Sequence, residues 1–456
     1  MKFTYLVLLL AVAASSCKKY LDIPFPQGQV STGVIFTDDS TAEASINGLY
    51  AQMMVSPPIF LNGALTIYPG LSADELFNTS ANTTSDQFYK NALLPNESAQ
   101  VYNGLWKWGY TNVFHSNAIL EGLENAKGIS VGVKTRLRGE ALSIRALFYF
   151  YLTNLYGDIP LELSTSFEKN SIHPRTDSRE IYRQIIEDLR EAVTILPETY
   201  PRSNRTRINR FAAASILARV YLYNKDYRLA EETSTSVIDQ QALYSLENDL
   251  SKTFLLPSRE TIFQLYPTAI SQNSGDGFML IPLATASARP SFALSPALIA
   301  AFESGDKRRI EWIRSKAIGP DVFYYPFKYR VKSGTAITEA NVVMRLAEQL
   351  LIRAEARLNQ NNISGALNDL NLIRKRAGLV EIGISDRDEL LRAVIQERRV
   401  ELMVEKGHRW FDLKRLGLAD VVLAPMKPGW SPSDALYPIP QADIDRNPFL
   451  HQNPGY

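Results

Sequence analysis

Apolar residues recur three and four positions apart along most of the chain, and strict alternation is rare. That period predicts amphipathic helices over 41–54, 102–126, 134–156, 178–196, 209–240, 295–302, 341–377 and 388–406. Boundary chemistry agrees with several of these: Asp177 or Ser178 and Asp386 open helical runs, and Gly157, Gly378 and Gly407 follow them, where a left-handed residue is wanted. Regions 56–98 and 243–292 carry more Pro, Gly, Ser and Asn and read as long excursions from a helical frame.

Two stretches repeat. Setting 218–237 over 354–373 aligns Ala218 with Ala354, Leu222 with Leu358, Ala230 with Ala366 and Val237 with Ile373. Each copy reads helix, short polar turn, helix, with Asn224-Lys225-Asp226 and Asn359 to Asn362 as the turns. Small Ala side chains let paired helices approach closely, and the spacing is similar to the tetratricopeptide unit, whose helix pairs stack into a superhelix. The segments 138–156 and 179–196 form a third such pair with a longer connection.

The N-terminus breaks this pattern. Lys2 precedes an apolar run from Phe3 to Ala14, closed by Ser15 and Ser16, which reads as a secretory signal peptide over 1–16. The run is far shorter than the roughly 20 residues of a membrane-spanning helix. Small residues followed at once by Cys17 resemble a lipoprotein cleavage box, with Ala14 standing where Leu is commonest. Acylated Cys17 would then begin a 440-residue chain tethered by 17–30, which includes Asp22-Ile23-Pro24-Phe25-Pro26-Gln27-Gly28. Two or three acyl chains, each contributing about 0.8 kcal/mol per buried methylene, hold a protein at a membrane.

Composition narrows the chemistry. Lys plus Arg number 49 against 48 Asp plus Glu in 456 residues, so no basic excess favours a nucleic acid. Cys17 is the only cysteine, which excludes internal disulfides and cysteine-based metal clusters. His115, His173, His408 and His451 are scattered without an i, i+4 pair. Asp443, Asp445 and Asn447 begin like a calcium loop, but Pro448 and Pro454 occupy the positions of its Gly and Glu. Gly128 to Gly132 matches Gly-x-Ser-x-Gly, yet a helical stretch precedes it where a nucleophile elbow needs a strand, so it reads as an interhelical loop. In 388–406 Leu390, Leu391, Val394, Ile395 and Leu402 form an apolar stripe, while Glu397, Arg398, Arg399, Glu401 and Glu405 carry alternating sign. Arg409, Asp412 and Arg415 follow closely enough to pair with those carboxylates in an ion network that holds the fold.

Four segments in order resemble the SusD/RagB family of Bacteroidetes outer-membrane lipoproteins: RGEALSIRALFYFYLTNLYGDIPL (138–161), AEARLNQNNISGALNDLNLIRKRAGL (354–379), ERRVELMVEKGHRWFDLKRLG (397–417) and YPIPQADIDRNPFLHQNPGY (437–456). The resemblance runs from Cys17 to the last residue. It implies a mainly α fold, a tetratricopeptide-like helical superhelix decorated with long loops and a few short strands. Residues 31–456 would then form one domain, with helix pairs near 134–196, 209–240 and 341–377. The resemblance also implies a lipid-anchored outer-membrane protein, exposed at the cell surface in the family's manner, without catalysis or cofactor. Such a protein captures a nutrient, usually a glycan, beside a SusC-like TonB-dependent transporter.

Sugars present apolar C–H faces edged by hydroxyls, so their sites combine flat rings with amides and charged groups. Both excursions carry that chemistry. Asp74, Asn78, Phe88, Tyr89, Asn91 and Asn96 lead to Trp106 and Trp108 in the first; Tyr266, Asn273, Phe278, Arg289 and Phe292 lie in the second, with Trp312 and Tyr324 beyond. Asp74, Asn78, Phe88, Tyr89, Asn91, Tyr266, Phe278, Arg289 and Phe292 are the expected ligand contacts, in the two regions where the resemblance places them. A surface scaffold that only docks proteins, and a secreted hydrolase with paired carboxylates, are the competing readings.

Overall fold

The computed structural model describes residues 36–96, 101–285 and 287–456, with the side chains of 101 and 102 left aside. The expected leader 1–16, Cys17 and its tether 17–30 lie outside the described residues.

Eight helices build the frame: α1 Lys107–Asn125, α2 Val131–Tyr156, α3 Ser178–Ile195, α4 Arg210–Tyr223, α5 Tyr227–Ile238, α6 Leu346–Leu358, α7 Ile363–Arg376 and α8 Arg387–Glu401. Each packs against the next, so the chain climbs as stacked helix pairs, the tetratricopeptide-like superhelix. The repeat explains the stacking. Ala218, Ala354, Ala230 and Ala366 are all fully buried, as are Leu358, Val237 and Ile373. Both turns place a residue in the left-handed region just before the second helix, Lys225 at φ 63° and Asn361 at φ 61°. Asp226 and Asn362 then occupy the N-cap positions. The two copies thus share their backbone turn as well as their apolar faces. A separate core layer of Ala347, Leu351, Ala354, Leu370, Leu390 and Val394 knits α6, α7 and α8.

Several boundaries differ from the periodicity. Residues 341–345 form a strand instead of the start of α6. Val342 and Val343 favour extended backbone, and pairing with Thr261–Leu265 buries both faces. The 209–240 run divides at Asn224 to Asp226, and 295–302 is helical only over Pro296–Ile299. Residues Val101–Trp106 wind as a π-turn before α1. Helix α8 stops at Glu401, because Val404, Lys406 and Gly407 all adopt positive φ before the next helix, His408–Arg415. Ser130, the centre of the Gly-x-Ser-x-Gly match, is the N-cap residue of α2 in an interhelical loop.

The ion network exists, with different partners from those expected. Arg398 does pair with Asp412, at 2.9 Å, but Arg415 reaches Asp412 and Glu355, and Arg409 reaches Asp74. The carboxylates of α8 instead gather cations from distant segments. Glu401, wholly buried, accepts from Arg345 at 2.6 Å, Arg308 at 2.9 Å and Arg376. The terminal segment packs as its Asn-Pro turns suggest: Asn453 donates to the carbonyls of Tyr156 and Tyr437.

Candidate functional site

The two excursions meet. Strand β1, Leu76–Asn78, pairs antiparallel with β2, Phe292–Leu294, so that Asn78 stands opposite Phe292. The contact continues one step outward, where Thr79 donates its backbone N–H to the Ser291 carbonyl at 3.0 Å. A hairpin of β3 Ile313–Ile318 and β4 Asp321–Pro326 packs on β2, and the Arg289 guanidinium lies 5.5 Å from the Phe323 ring centroid. Segments remote in sequence therefore share one surface.

Asn78 organises the first loop and is spent on it. Its Nδ2 donates to the carbonyls of Ser80 and Asn82 and to Asp86 Oδ1, while its Oδ1 accepts from Ser80. Asp74 is the buried anchor beneath. Burial alone would raise its carboxyl, but Arg409 at 2.6 Å, with Arg399 beside it, outweighs that cost and holds it below the usual range. Glu75, one residue on, is buried, and among the described residues its carboxylate accepts from the Val404 N–H alone, at 3.0 Å. Burial there pushes the carboxyl up to about 7.

The helix Thr83–Lys90 buries Ser85 and Phe88 on one face and turns Tyr89 outward. Phe88 is 0% exposed and stacks on Tyr68 with centroids 4.4 Å apart, so it offers a ligand no surface. Asn91, the left-handed C-cap of that helix, donates to the Ser72 carbonyl and is buried. Phe292 is buried in β2, and Asp74 is taken up by its two arginines. These four expected contacts are packing and anchoring residues, and the correction follows from helix phase and strand pairing.

Tyr89 is 36% exposed and Lys427 Nζ lies 5.5 Å from its ring. Together with Phe77, Ser295, Pro296 and Met426 these two residues border a 270 Å³ hollow. Lys427 also donates to the carbonyls of Leu71 and Ser72, at 2.7 and 2.6 Å, which fixes the chain end of the hollow. Arg289 is exposed and Tyr324 is 37% exposed. Phe278 is half-buried under Lys332, whose ammonium ties down the carbonyls of Phe278 and Ile281. Tyr266 is half-exposed just beyond its strand, Thr261–Leu265. Asn273 is buried and holds the backbone of Thr338 and Glu339. Trp312 is fully buried, Trp106 is buried and Trp108 half-buried, while Asn96 is exposed.

Of the expected contacts around the ladder, Tyr89 and Arg289 are exposed and Asn78 is half-buried; Tyr89 borders the hollow, and Arg289 lies against Phe323 of the hairpin that also exposes Tyr324. Phe77, Met426 and Lys427 were not singled out by the sequence. Phe77 is an aromatic beside the expected Asn78, whereas Lys427 enters only through the tertiary fold. Among the described residues no group of three or more His, Cys, Asp or Glu side chains is placed to hold a metal ion.

Comparison with known proteins agrees with this architecture. A family model described as starch-binding associating with outer membrane matches residues 61–222, and the SusD family model matches 312–431. SusD-like protein P2 of Formosa agariphila is 27% identical, the alignment covering 100% of this chain and 99% of that protein. A SusD-like protein of Bacteroides ovatus is 24% identical over 85% of this chain and 77% of its own. Among solved structures, a laminarin binding SusD-like protein superposes with a TM-score of 0.79 at 23% identity, covering 92% of this chain and 100% of that one. Surface glycan-binding protein A from Bacteroides thetaiotaomicron superposes with a TM-score of 0.78 at 21% identity, with coverage of 92% and 100%.

Proposed function

Because the chain belongs to the SusD/RagB family, we propose that it is a non-catalytic glycan-binding protein of the outer membrane, which delivers an oligosaccharide or polysaccharide to a SusC-like TonB-dependent transporter. The observation that supports this reading is the β1–β2 ladder, which brings the two loop segments together, with Tyr89, Arg289 and Tyr324 exposed on the elements around it. A tyrosine face supplies stacking for a sugar ring, and a guanidinium supplies donors for its hydroxyls. Named relatives that bind laminarin or surface glycans support the substrate class. The partner is the one the family implies, and the proposed anchorage rests on acylation of Cys17.

Affinity electrophoresis of the full chain in gels containing laminarin, starch or xyloglucan tests the reading. Retardation by at least one of them, lost in a Tyr89→Ala/Tyr324→Ala variant, is expected. Migration unchanged by every glycan, alongside calorimetric binding of a peptide, overturns the substrate class. Co-purification of the transporter with the tagged chain from outer membranes tests the partner.

A further inference from the structure

A second concavity lies away from the loop patch. It has a volume of 650 Å³, within the range of about 300–1,000 Å³ typical of small-molecule sites. Its walls come from three segments: the first turns of α1, the 160–171 loop and the 443–450 tail. Between it and Tyr89 runs a relay of buried rings. Trp106 meets Tyr156 at 4.8 Å, Tyr156 meets Tyr437 at 6.1 Å, and Tyr437 meets Phe88 at 5.3 Å. The cleft and the loop patch are thus separated by the core.

Its apolar wall is aromatic and wet. Phe167 is 82% exposed and Phe114 43%, with Tyr110 beside them. Rings of this size left in water are uncommon unless a ligand covers them. Tyr110 is oriented by donating its hydroxyl to the Pro160 carbonyl at 2.8 Å.

Its polar element is Glu162, held in an unusual way. The backbone of Glu162 is clamped at three points: its N–H donates to the Tyr149 hydroxyl at 2.7 Å, and its carbonyl accepts from the same hydroxyl at 2.7 Å and from Asn117 Nδ2 at 2.9 Å. Its carboxylate, by contrast, lines the cleft and accepts no hydrogen bond from any described residue. Asp443 faces it from the tail, oriented by Trp106 Nε1 at 2.6 Å, with Arg446 at 3.4 Å on its other oxygen. Burial, and then the Asp443 charge, push the Glu162 carboxyl up to about 7. A carboxylate on a fixed backbone, open to the cleft and without a donor among the described residues, can accept hydrogen bonds from a molecule bound there.

We propose that this cleft is a second saccharide site, in which the rings of Phe114, Phe167 and Tyr110 take the C–H face of a short neutral sugar and the Glu162 carboxylate takes its hydroxyl protons. Vicinal hydroxyls match the two oxygens of one carboxylate, and the aromatic wall matches the apolar face of a pyranose. Asp443 and Arg446 line the cleft from the tail.

Calorimetric titration of the full chain with laminaribiose, cellobiose, maltose and glucosamine tests the site. The Tyr89→Ala/Tyr324→Ala variant isolates it from the loop patch, so failure of one site is read separately from failure of the other. That variant is expected to bind at least one neutral disaccharide at millimolar concentration. Adding Glu162→Gln, or Phe114→Ala/Phe167→Ala, is expected to weaken that binding about tenfold or more. Absence of any disaccharide binding in the isolating variant overturns the proposal. So does binding that the cleft substitutions leave unchanged, or binding of glucosamine with none of the neutral sugars.

Discussion

Arg219 and Glu348 face each other as a two-pronged pair, Nε to Oε1 at 2.6 Å and Nη2 to Oε2 at 2.7 Å, with both side chains buried. Arg219 follows Ala218 in the first repeat copy, and Glu348 sits in the first turn of α6, so the pair bridges the two copies. Tyr151 of α2 accepts from the remaining Arg219 nitrogen at 2.6 Å. Removing either charge alone strands the other in the core. Arg219→Met or Glu348→Gln is expected to cost about 3–5 kcal/mol in urea denaturation, and Arg219→Met/Glu348→Leu to recover much of that loss. Additive losses in the double variant would contradict a coupled pair.

Gly407 carries a backbone requirement that no other residue type meets as well. Its φ is 74°, and a Cβ there would stand 2.9 Å from Phe411 and 3.0 Å from Pro69. Gly407→Ala combines left-handed strain with a close contact and is expected to lower stability by roughly 1–3 kcal/mol. A thermal melt equal to that of the native chain would show that the 402–407 turn can relax.

Glu75 gives stability an unusual pH dependence. Its folded carboxyl is raised to about 7, above its value near 4.5 in the unfolded chain. The folded state therefore binds the proton more tightly, and this contribution is complete below about 4.5 and lost as pH rises through about 7. Asp74 works in the opposite sense: its carboxyl is held down by Arg409 and Arg399 against the cost of burial, so its contribution exists above the ordinary Asp value and is lost on acidification. Glu75→Gln is expected to flatten the fall in stability between about pH 5 and 7.5, measured as urea midpoints across that window. An unchanged slope would place the titration elsewhere.

Asp74 lies at the wall of the Tyr89 hollow and supports it, its carboxylate taken up by Arg399 and Arg409. Asp74→Asn is expected to loosen the 73–78 segment against Arg399 and Arg409, costing about 2–4 kcal/mol and weakening glycan retardation along with stability. Tyr89→Ala should instead weaken retardation at unchanged stability. Identical behaviour of the two variants would deny the distinction between anchor and contact.

The lipid anchor has a direct test. Cys17→Ser is expected to move the chain from the outer-membrane fraction to the soluble extracellular or periplasmic fraction and to abolish incorporation of labelled palmitate. Continued membrane retention with no label would assign anchorage to the transporter.

The helical frame was legible because a 3.6-residue period reports burial directly, and the Ala218 and Ala354 alignment carried the repeat as well. The strand at 341–345 was hidden because five apolar-rich residues run straight into α6, and only the partner strand at 261–265 decides the backbone. Within the patch, the right two segments were visible but the facing of each ring was not. Phe88 and Tyr89 are neighbours of similar chemistry, and the Ser85–Phe88 spacing that places one inside is a single helical step. The saccharide-sized cleft was not legible at all: Phe114, Glu162 and Asp443 come from three segments that meet only in the folded chain.

The pairing of Asn78 with Phe292 has a consequence for the order in which the protein matures. Contacts between segments so distant in sequence form slowly and late, because the intervening chain must first be collected. A chain is made N-terminus first, so the residues of α1 to α5 exist before the partner strand does. The β1–β2 ladder closes only after the second excursion arrives, and a chain ending before residue 292 would lack it.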